Sequence, residues 1–196
     1  MELPFIYSKR LFLRLAVPED VPEILRYFRD NQTHLAPWQP LWSATFLTVQ
    51  FWQAQVEINR AEFQTGQSLK LFVFKKLQPQ VIIGNVNFHA FLRGAAQFCY
   101  LGYSLAAQEQ GNGYMLEALQ VALNYVFAEL NIHRVMANYI PYNRRSGNVL
   151  KKLGLVIECY AREYLLINGQ WQDHILTSLT NSNWRHSIGE RGLMLD

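Results

Sequence analysis

Cysteine is scarce. The 196-residue chain holds two, Cys99 and Cys159, too few for a disulfide framework or a thiolate metal site, and a reducing compartment such as the cytoplasm accounts for both. Long apolar runs are missing too. None reaches the ~18 residues of a membrane span. Lys9, Arg10 and Arg14 interrupt the opening MELPFIYSKRLFLRL, so it lacks the apolar centre of a signal peptide. The expectation is a cytoplasmic protein without a membrane partner. Neither sign of charge dominates: the net charge is +3 and no basic face is concentrated, which permits an anionic ligand and argues against direct nucleic-acid binding. The histidines (His34, His89, His133, His174 and His186) show no ligand spacing, so no metal is expected. Internal repeats and low-complexity runs are absent as well.

What is present is apolar material, at 50% of residues against 17% charged, enough for a sizeable core. One domain is expected over residues 1–184, followed by a polar tail over 185–196. LFLRLA alternates and reads as a first strand. PEDVPEILRYFRD carries acids in its first turn and reads as a helix despite Pro22; NQTHLAPWQPLW reads as an ordered loop. Phe46 to Phe63 is helical by pattern. LKLFVFKK and VIIGNVNFHAF, separated by LQPQ, form a hairpin, and FCYLGYSL is another strand. Leu116, Leu119, Leu123, Val126, Phe127 and Leu130 then give one helical face. RVMANYI is a strand, RRSGNVLKKLG a short helix closing on Gly154, and VIECYAREYLLI and QWQDHILTSL two strands joined at Asn168–Gly169. The order β-α-α-β-β-β-α-β-α-β-β predicts an α+β fold, mostly antiparallel, with a parallel pair across the long helix.

One turn calls for a ligand. QEQGNGYMLEAL, Gln108 to Leu119, places Gly111 and Gly113 between a strand and a helix. Glycines let the backbone curl into an anion nest, and the helix end adds partial positive charge, so a phosphate suits it. A P-loop is absent, and a third glycine for a dinucleotide fingerprint is missing because position 116 is Leu. By itself such a turn is equally a plain loop.

It is not by itself. Gln108-x-x-Gly111-x-Gly113 resembles the Gln/Arg-x-x-Gly-x-Gly/Ala signature of the GNAT superfamily of N-acetyltransferases, and NRRSGNVLKKLGL resembles that family's Asn-x-x-Ala/Ser…Leu-Gly-Phe segment. HLAPWQP, CYLGYSL, HRVMANYIPYNRRSG, YLLINGQWQDH and LTSLTNSNW further resemble a bacterial subgroup, the RimJ-like ribosomal-protein acetyltransferases, over roughly residues 8 to 184. The resemblance implies the GNAT fold: a mixed, mostly antiparallel central sheet with splayed middle strands and helices on both faces. It implies acetyl-coenzyme A as co-substrate and direct attack on the thioester in a ternary complex. The acceptor it implies is the N-terminal alanine of a small-subunit ribosomal protein, free or in a ribosome-assembly intermediate. The enzyme would be a monomer or homodimer.

By that resemblance Gln108, Gln110, Gly111, Asn112, Gly113, Tyr114 and Met115 hold the pyrophosphate, Tyr103, Ser104 and Leu105 pair with the pantetheine amides, and Asn143 borders the donor. Gly102 would mark a bulge where the strands splay, or be a glycine merely tolerated there. Arg144, Arg145, Lys151 and Lys152 surround the short helix; some meet the adenosine 3′-phosphate and at least two are a solvated face. The backbone near Leu101 to Tyr103 supplies the oxyanion donor. Many relatives carry a tyrosine acid seven residues after the Asn; here that position is Leu150. Ser146 is the substitute, or else a residue of the helix start bonding backbone amides. Glu163 is the candidate base, with Asp173, His89 and Asn87 beside it, each also readable as an ordinary sheet residue. Asn87, His89 and Trp38 are candidate acceptor contacts, Trp42 is core, and Glu117 should point away from the phosphates. An α-amine near ~8 costs about 1 kcal/mol to neutralise at pH 7 and a lysine near ~10.4 costs roughly 4–5, so an indistinct base fits an α-amine. A small-molecule acetyltransferase (polyamine or aminoglycoside) and a coenzyme-binding assembly or regulatory factor remain the competing readings.

Overall fold

Leu11 and Leu13 face one side of a strand and Phe12 the other, and all three are buried, so both faces of the sheet at that point are covered. The same alternation separates Leu71 and Val73 from Phe72 and Phe74. The computed structural model describes residues 3–185. Its strands are β1 (Phe5–Tyr7), β2 (Leu11–Arg14), β3 (Leu69–Lys75), β4 (Gln78–Leu92), β5 (Phe98–Leu105), β6 (Arg134–Tyr139), β7 (Val156–Ile167) and β8 (Gln170–Thr180). Its α-helices are α1 (Val21–Asp30), α2 (Gln32–Leu35), α3 (Val49–Gln64), α4 (Tyr114–Ala128) and α5 (Arg144–Lys152). The eight strands form one sheet in the order β1-β2-β3-β4-β5-β6-β8-β7. Among the described residues every neighbouring pair is antiparallel except β5–β6, the pair that spans α4.

Helices cover both faces. Met115, Ala118, Leu119, Ala122, Leu123 and Val126 of α4 pack on Leu13, Leu71, Val86, Phe88 and Leu101. That stripe is turned from the expected one: two alanines complete it, and Leu116 and Phe127 are only partly buried. On the other face, Ile24, Leu25 and Phe28 of α1 and Trp52 and Val56 of α3 pack on Phe12, Phe72, Phe74 and Ile82. Trp42 joins this second core, as expected, edge-on to Phe28 at 5.7 Å.

Four local expectations change. β1 is an extra strand, paired Tyr7↔Phe12 with β2. The segment read as a loop holds α2 and a 3-10 turn, Ala36–Trp38. α3 starts at Val49, where Thr48 caps it by accepting from the Phe51 N–H at 3.3 Å. Gly102 marks no bulge: it pairs in register with Asn87, and the irregularity of that ladder lies between His89 and Leu92. The splay arises otherwise. The β5–β6 ladder ends at Leu101↔Ala137, so from Gly102 to Leu105 the β6-facing edge of β5 has no strand partner among the described residues. The tail expected from 185 lies, past Arg185, outside the described residues.

Candidate active site

The free edge of β5 runs straight into the glycine turn. Gly111 and Gly113 adopt φ of +80° and +75°, the left-handed region that glycine enters without penalty. Gly113 is the N-cap of α4 and no side chain caps that end. The Glu117 N–H is bonded to the Gly113 carbonyl at 3.1 Å; the N–H groups ahead of it in the first turn have no partner inside the helix. Backbone donors and the positive end of the helix dipole therefore face the same opening.

The turn is braced from behind. Arg10 Nε donates to Glu117 at 2.6 Å, Arg10 Nη1 donates to the Asn112 carbonyl at 3.0 Å, and the guanidinium lies 4.4 Å over the Tyr114 ring. Glu117 thus points away from the turn, toward Arg10 and the Ser8 hydroxyl at 2.8 Å. Burial alone would raise its carboxyl, but the Arg10 N–H, the Ser8 hydroxyl and the Arg10 guanidinium outweigh burial and hold it below the ordinary carboxylate range.

In front of the turn is a cleft of about 720 Å³. It brings together Trp38, Tyr103, Ser104, Leu105, Gln110, Gly111, Gly113, Tyr114, Met115, Asn143 and Ser146 from the sequence reading. Arg145 and Lys152 line it as well, whereas Arg144 and Lys151 border a separate hollow on the other side of α5. HLAPWQP carries part of the resemblance, but the sequence reading singled out only Trp38 in it and so missed His34, Leu35 and Gln39 as cleft residues. Gln110 bridges two walls: Arg145 donates to its Oε1, and its Nε2 lies 2.9 Å from His34 Nε2. With Oε1 turned to a cation, Gln110 presents its amide protons to His34, which is then the acceptor.

At the far wall Asn143 caps α5, accepting from the Ser146 N–H at 3.1 Å. The Ser146 hydroxyl plays no part in that cap; its Oγ lies 2.8 Å from the Tyr103 hydroxyl. Ser104 points to the opposite face, where its Oγ meets the Tyr27 hydroxyl and the Asn85 amide, each at 2.8 Å. Tyr27 and Ser104 are almost wholly buried, so this is a packed polar contact.

Several other named residues, Asp173 among them, are not brought to the cleft. Gln108 is exposed on a 3-10 turn, and Asn112 turns its amide to the Glu109 carbonyl at 3.3 Å. Asn87 donates to Asn85 at 3.2 Å and His89 stacks on Tyr100 at 5.8 Å, both farther along β4. Burial, then the Lys70 charge, hold the His89 imidazole below its usual range. Glu163, the candidate base, is exposed on β7 at φ +46°, within an irregularity between Ala161 and Leu165, and its N–H donates to Asp173 at 2.8 Å. β7 is one of the sheet's two outer strands, paired with β8, and this carboxylate does not line the cleft. No Asp or Glu lines the cleft among the described residues, and no group of three or more His, Cys, Asp or Glu is placed to hold a metal.

Residues 10–156 match the family described as the acetyltransferase (GNAT) domain. The chain is 40% identical over 177 residues to the ribosomal protein uS5-alanine N-acetyltransferase of Escherichia coli K12, covering 90% of this chain and 91% of that protein. The crystal structure of ribosomal-protein-S5-alanine acetyltransferase from Vibrio fischeri superposes with a TM-score of 0.88 at 36% identity, covering 93% and 99% of the two chains. Mycobacterium smegmatis RimJ, solved with a CoA-disulfide, gives 0.82 at 26% identity, covering 91% and 86%.

Proposed function

The chain belongs to the GNAT acetyltransferase family, and from that premise we propose that it transfers an acetyl group from acetyl-CoA to the N-terminal α-amine of a ribosomal protein, with an N-terminal alanine of a small-subunit protein as the acceptor. The observation that carries this reading is the near-full-length, 40% identical match to an enzyme named for that reaction. The geometry is consistent with it. A glycine turn at a helix N-terminus, continuous with a free strand edge, suits a donor with a pyrophosphate at one end and a run of amides at the other. Bound there, acetyl-CoA supplies the activated thioester.

The chain's own groups then have distinct tasks. The N–H groups from Gly111 to Met115 hold the pyrophosphate, with Arg145 and Lys152 adding positive charge on the cleft wall. The free edge of Tyr103 to Leu105 pairs with the pantetheine amides, and an N–H near Leu101 to Tyr103 donates to the carbonyl oxygen as it gains charge. Ser146 directs its hydroxyl at the sulfur; its N-terminal position in α5 needs no other account, because Asn143 already supplies the cap. Trp38 and the α2 segment border the acceptor side. With Glu163 outside the cleft and no lining carboxylate among the described residues, the acceptor loses its proton to water, at about 1 kcal/mol for an α-amine at pH 7. The same lack of carboxylates disfavours a polyamine, whose cationic groups call for them. Ribosomal substrates place the reaction in the cytoplasm, on the free protein or an assembly intermediate. Incubation with acetyl-CoA and a peptide beginning with alanine, read by mass spectrometry beside a spermidine control, tests the reading. Acetylation of spermidine alone would overturn it.

A further inference from the structure

Leu150 stands where the family resemblance implies a tyrosine, yet a tyrosine meets Ser146 at the cleft all the same. It comes from the sheet. Tyr103 stands on the stretch of β5 that has no β6 partner, and its side chain packs toward α4 and α5. The ring is largely buried, and the hydroxyl lies 2.8 Å from Ser146 Oγ and 3.3 Å from the Ser146 carbonyl oxygen. Asn143 fixes the same residue from the other side through the Ser146 N–H. The Tyr103 hydroxyl has one proton, and Oγ is the nearer of its two contacts, so Ser146 is held at its backbone nitrogen by Asn143 and at its hydroxyl by Tyr103.

From this arrangement, which rests on Ser146 facing the departing sulfur, we infer that Tyr103 is a positioning residue: its hydroxyl donates to Ser146 Oγ and so turns the Ser146 O–H toward the thiolate. Burial pushes the Tyr103 hydroxyl up to about 12, so it stays protonated at neutral pH and can act only as a donor or acceptor of hydrogen bonds. A free thiol titrates near ~8.5. Complete transfer of a proton from a tyrosine or serine hydroxyl to the thiolate is therefore uphill by several pH units, and neither residue gives its proton up. As the new C–N bond forms and the C–S bond breaks, the electron pair stays on sulfur, stabilised by the Ser146 hydrogen bond. The proton shed by the amine goes to water, and the thiolate equilibrates with solvent after release. The pair thus lowers the barrier by oriented hydrogen bonding, which also explains why a leucine can stand at position 150.

Tyr103→Phe, Ser146→Ala and the double variant test this. Tyr103→Phe, which keeps the ring, should lower kcat by up to about tenfold, the worth of one hydrogen bond, with coenzyme affinity by calorimetry within about twofold of the wild type. The double variant should be no slower than Ser146→Ala, because Tyr103 acts through Ser146. Ultraviolet titration of the thiol of bound coenzyme A gives a second readout that a purely structural role would not move: Tyr103→Phe should raise the bound thiol's pKa toward the free value. Unchanged kcat together with an unmoved thiol titration, or multiplicative losses in the double variant, would overturn the assignment. The titration needs no acceptor, so it decides the role of Tyr103 even if the wild type fails to acetylate the alanine peptide.

Discussion

Gly111 and Gly113 owe their identity to backbone angle. A Cβ at Gly111 would meet nothing within 4 Å, and one at Gly113 would meet the Arg10 guanidinium at 3.6 Å, an ordinary contact. Both φ values are positive, and a non-glycine L-residue pays roughly 1–2 kcal/mol to stay there. Gly113→Ala should weaken coenzyme binding about tenfold or more in calorimetry, whereas Gly113→Asn, which tolerates the left-handed region, should lose less. Equal losses in the two variants would mean that the phosphates need the missing side chain for room. The start of α5 gives a second residue-scale contrast. Asn143→Ala removes the cap and should cost about 1 kcal/mol in urea denaturation. Ser146→Ala should leave stability nearly unchanged and lower kcat, a split that kinetics and denaturation together resolve. Asn143 and Ser146 were legible through the family resemblance of one local segment, which offered the helix-start role for Ser146, whereas the cap is Asn143. Their division of labour was not, since it depends on Tyr103, which is 43 positions from Ser146.

Between elements, the phosphate-side turn depends on a contact from the other end of the chain. Arg10, in the β1–β2 connection, ties Glu117 of α4 to the Asn112 carbonyl. The Glu117 carboxyl titrates lower in the folded chain than unfolded, so its contribution is complete above the unfolded value of ~4.3 and fades as pH falls through the depressed folded value. Glu117→Gln should therefore be less stable than the wild type by about 1–2 kcal/mol at pH 7, with the gap smaller at a pH well below ~4.3. Urea midpoints at the two pH values measure this, and a gap that widens on acidification would contradict it. Elements with a long period or a strong turn signal could be read in advance. Asn168 and Gly169 both have positive φ, at 47° and 77°, as an Asn-Gly hairpin requires. Short ones could not. β1 has three residues, too few for alternation to register, and α2 is a four-residue helix just ahead of Pro37. Glu163 misled for a related reason: its strand was foreseen, but an outer position and an irregularity in β7 are tertiary facts that no local pattern carries.

At the scale of the whole molecule, the proposed reaction assigns the two sides of the cleft to donor and acceptor. The groups proposed to hold the donor line it together with α2 residues and Trp38, whose ring lies 5.7 Å from Tyr142. An acceptor amine enters a site whose described lining offers no carboxylate to take its proton. The amine's own pKa then governs the low-pH limb: kcat/KM for an alanine-first peptide should rise with pH and level off near ~8, where the α-amine is deprotonated. A peptide with a blocked N-terminus and an internal lysine must find roughly 3 kcal/mol more for deprotonation at pH 7, about two decades in rate, and should be acetylated little or not at all. Trp38→Ala should raise KM for the alanine peptide and spare coenzyme affinity, because the Trp38 ring meets Tyr142 and not the glycine turn. Mass spectrometry on a mixture of the two peptides, repeated across pH, decides the matter. Acetyl groups accumulating on the lysine at neutral pH would require a base supplied from beyond the described cleft residues and would overturn the α-amine assignment.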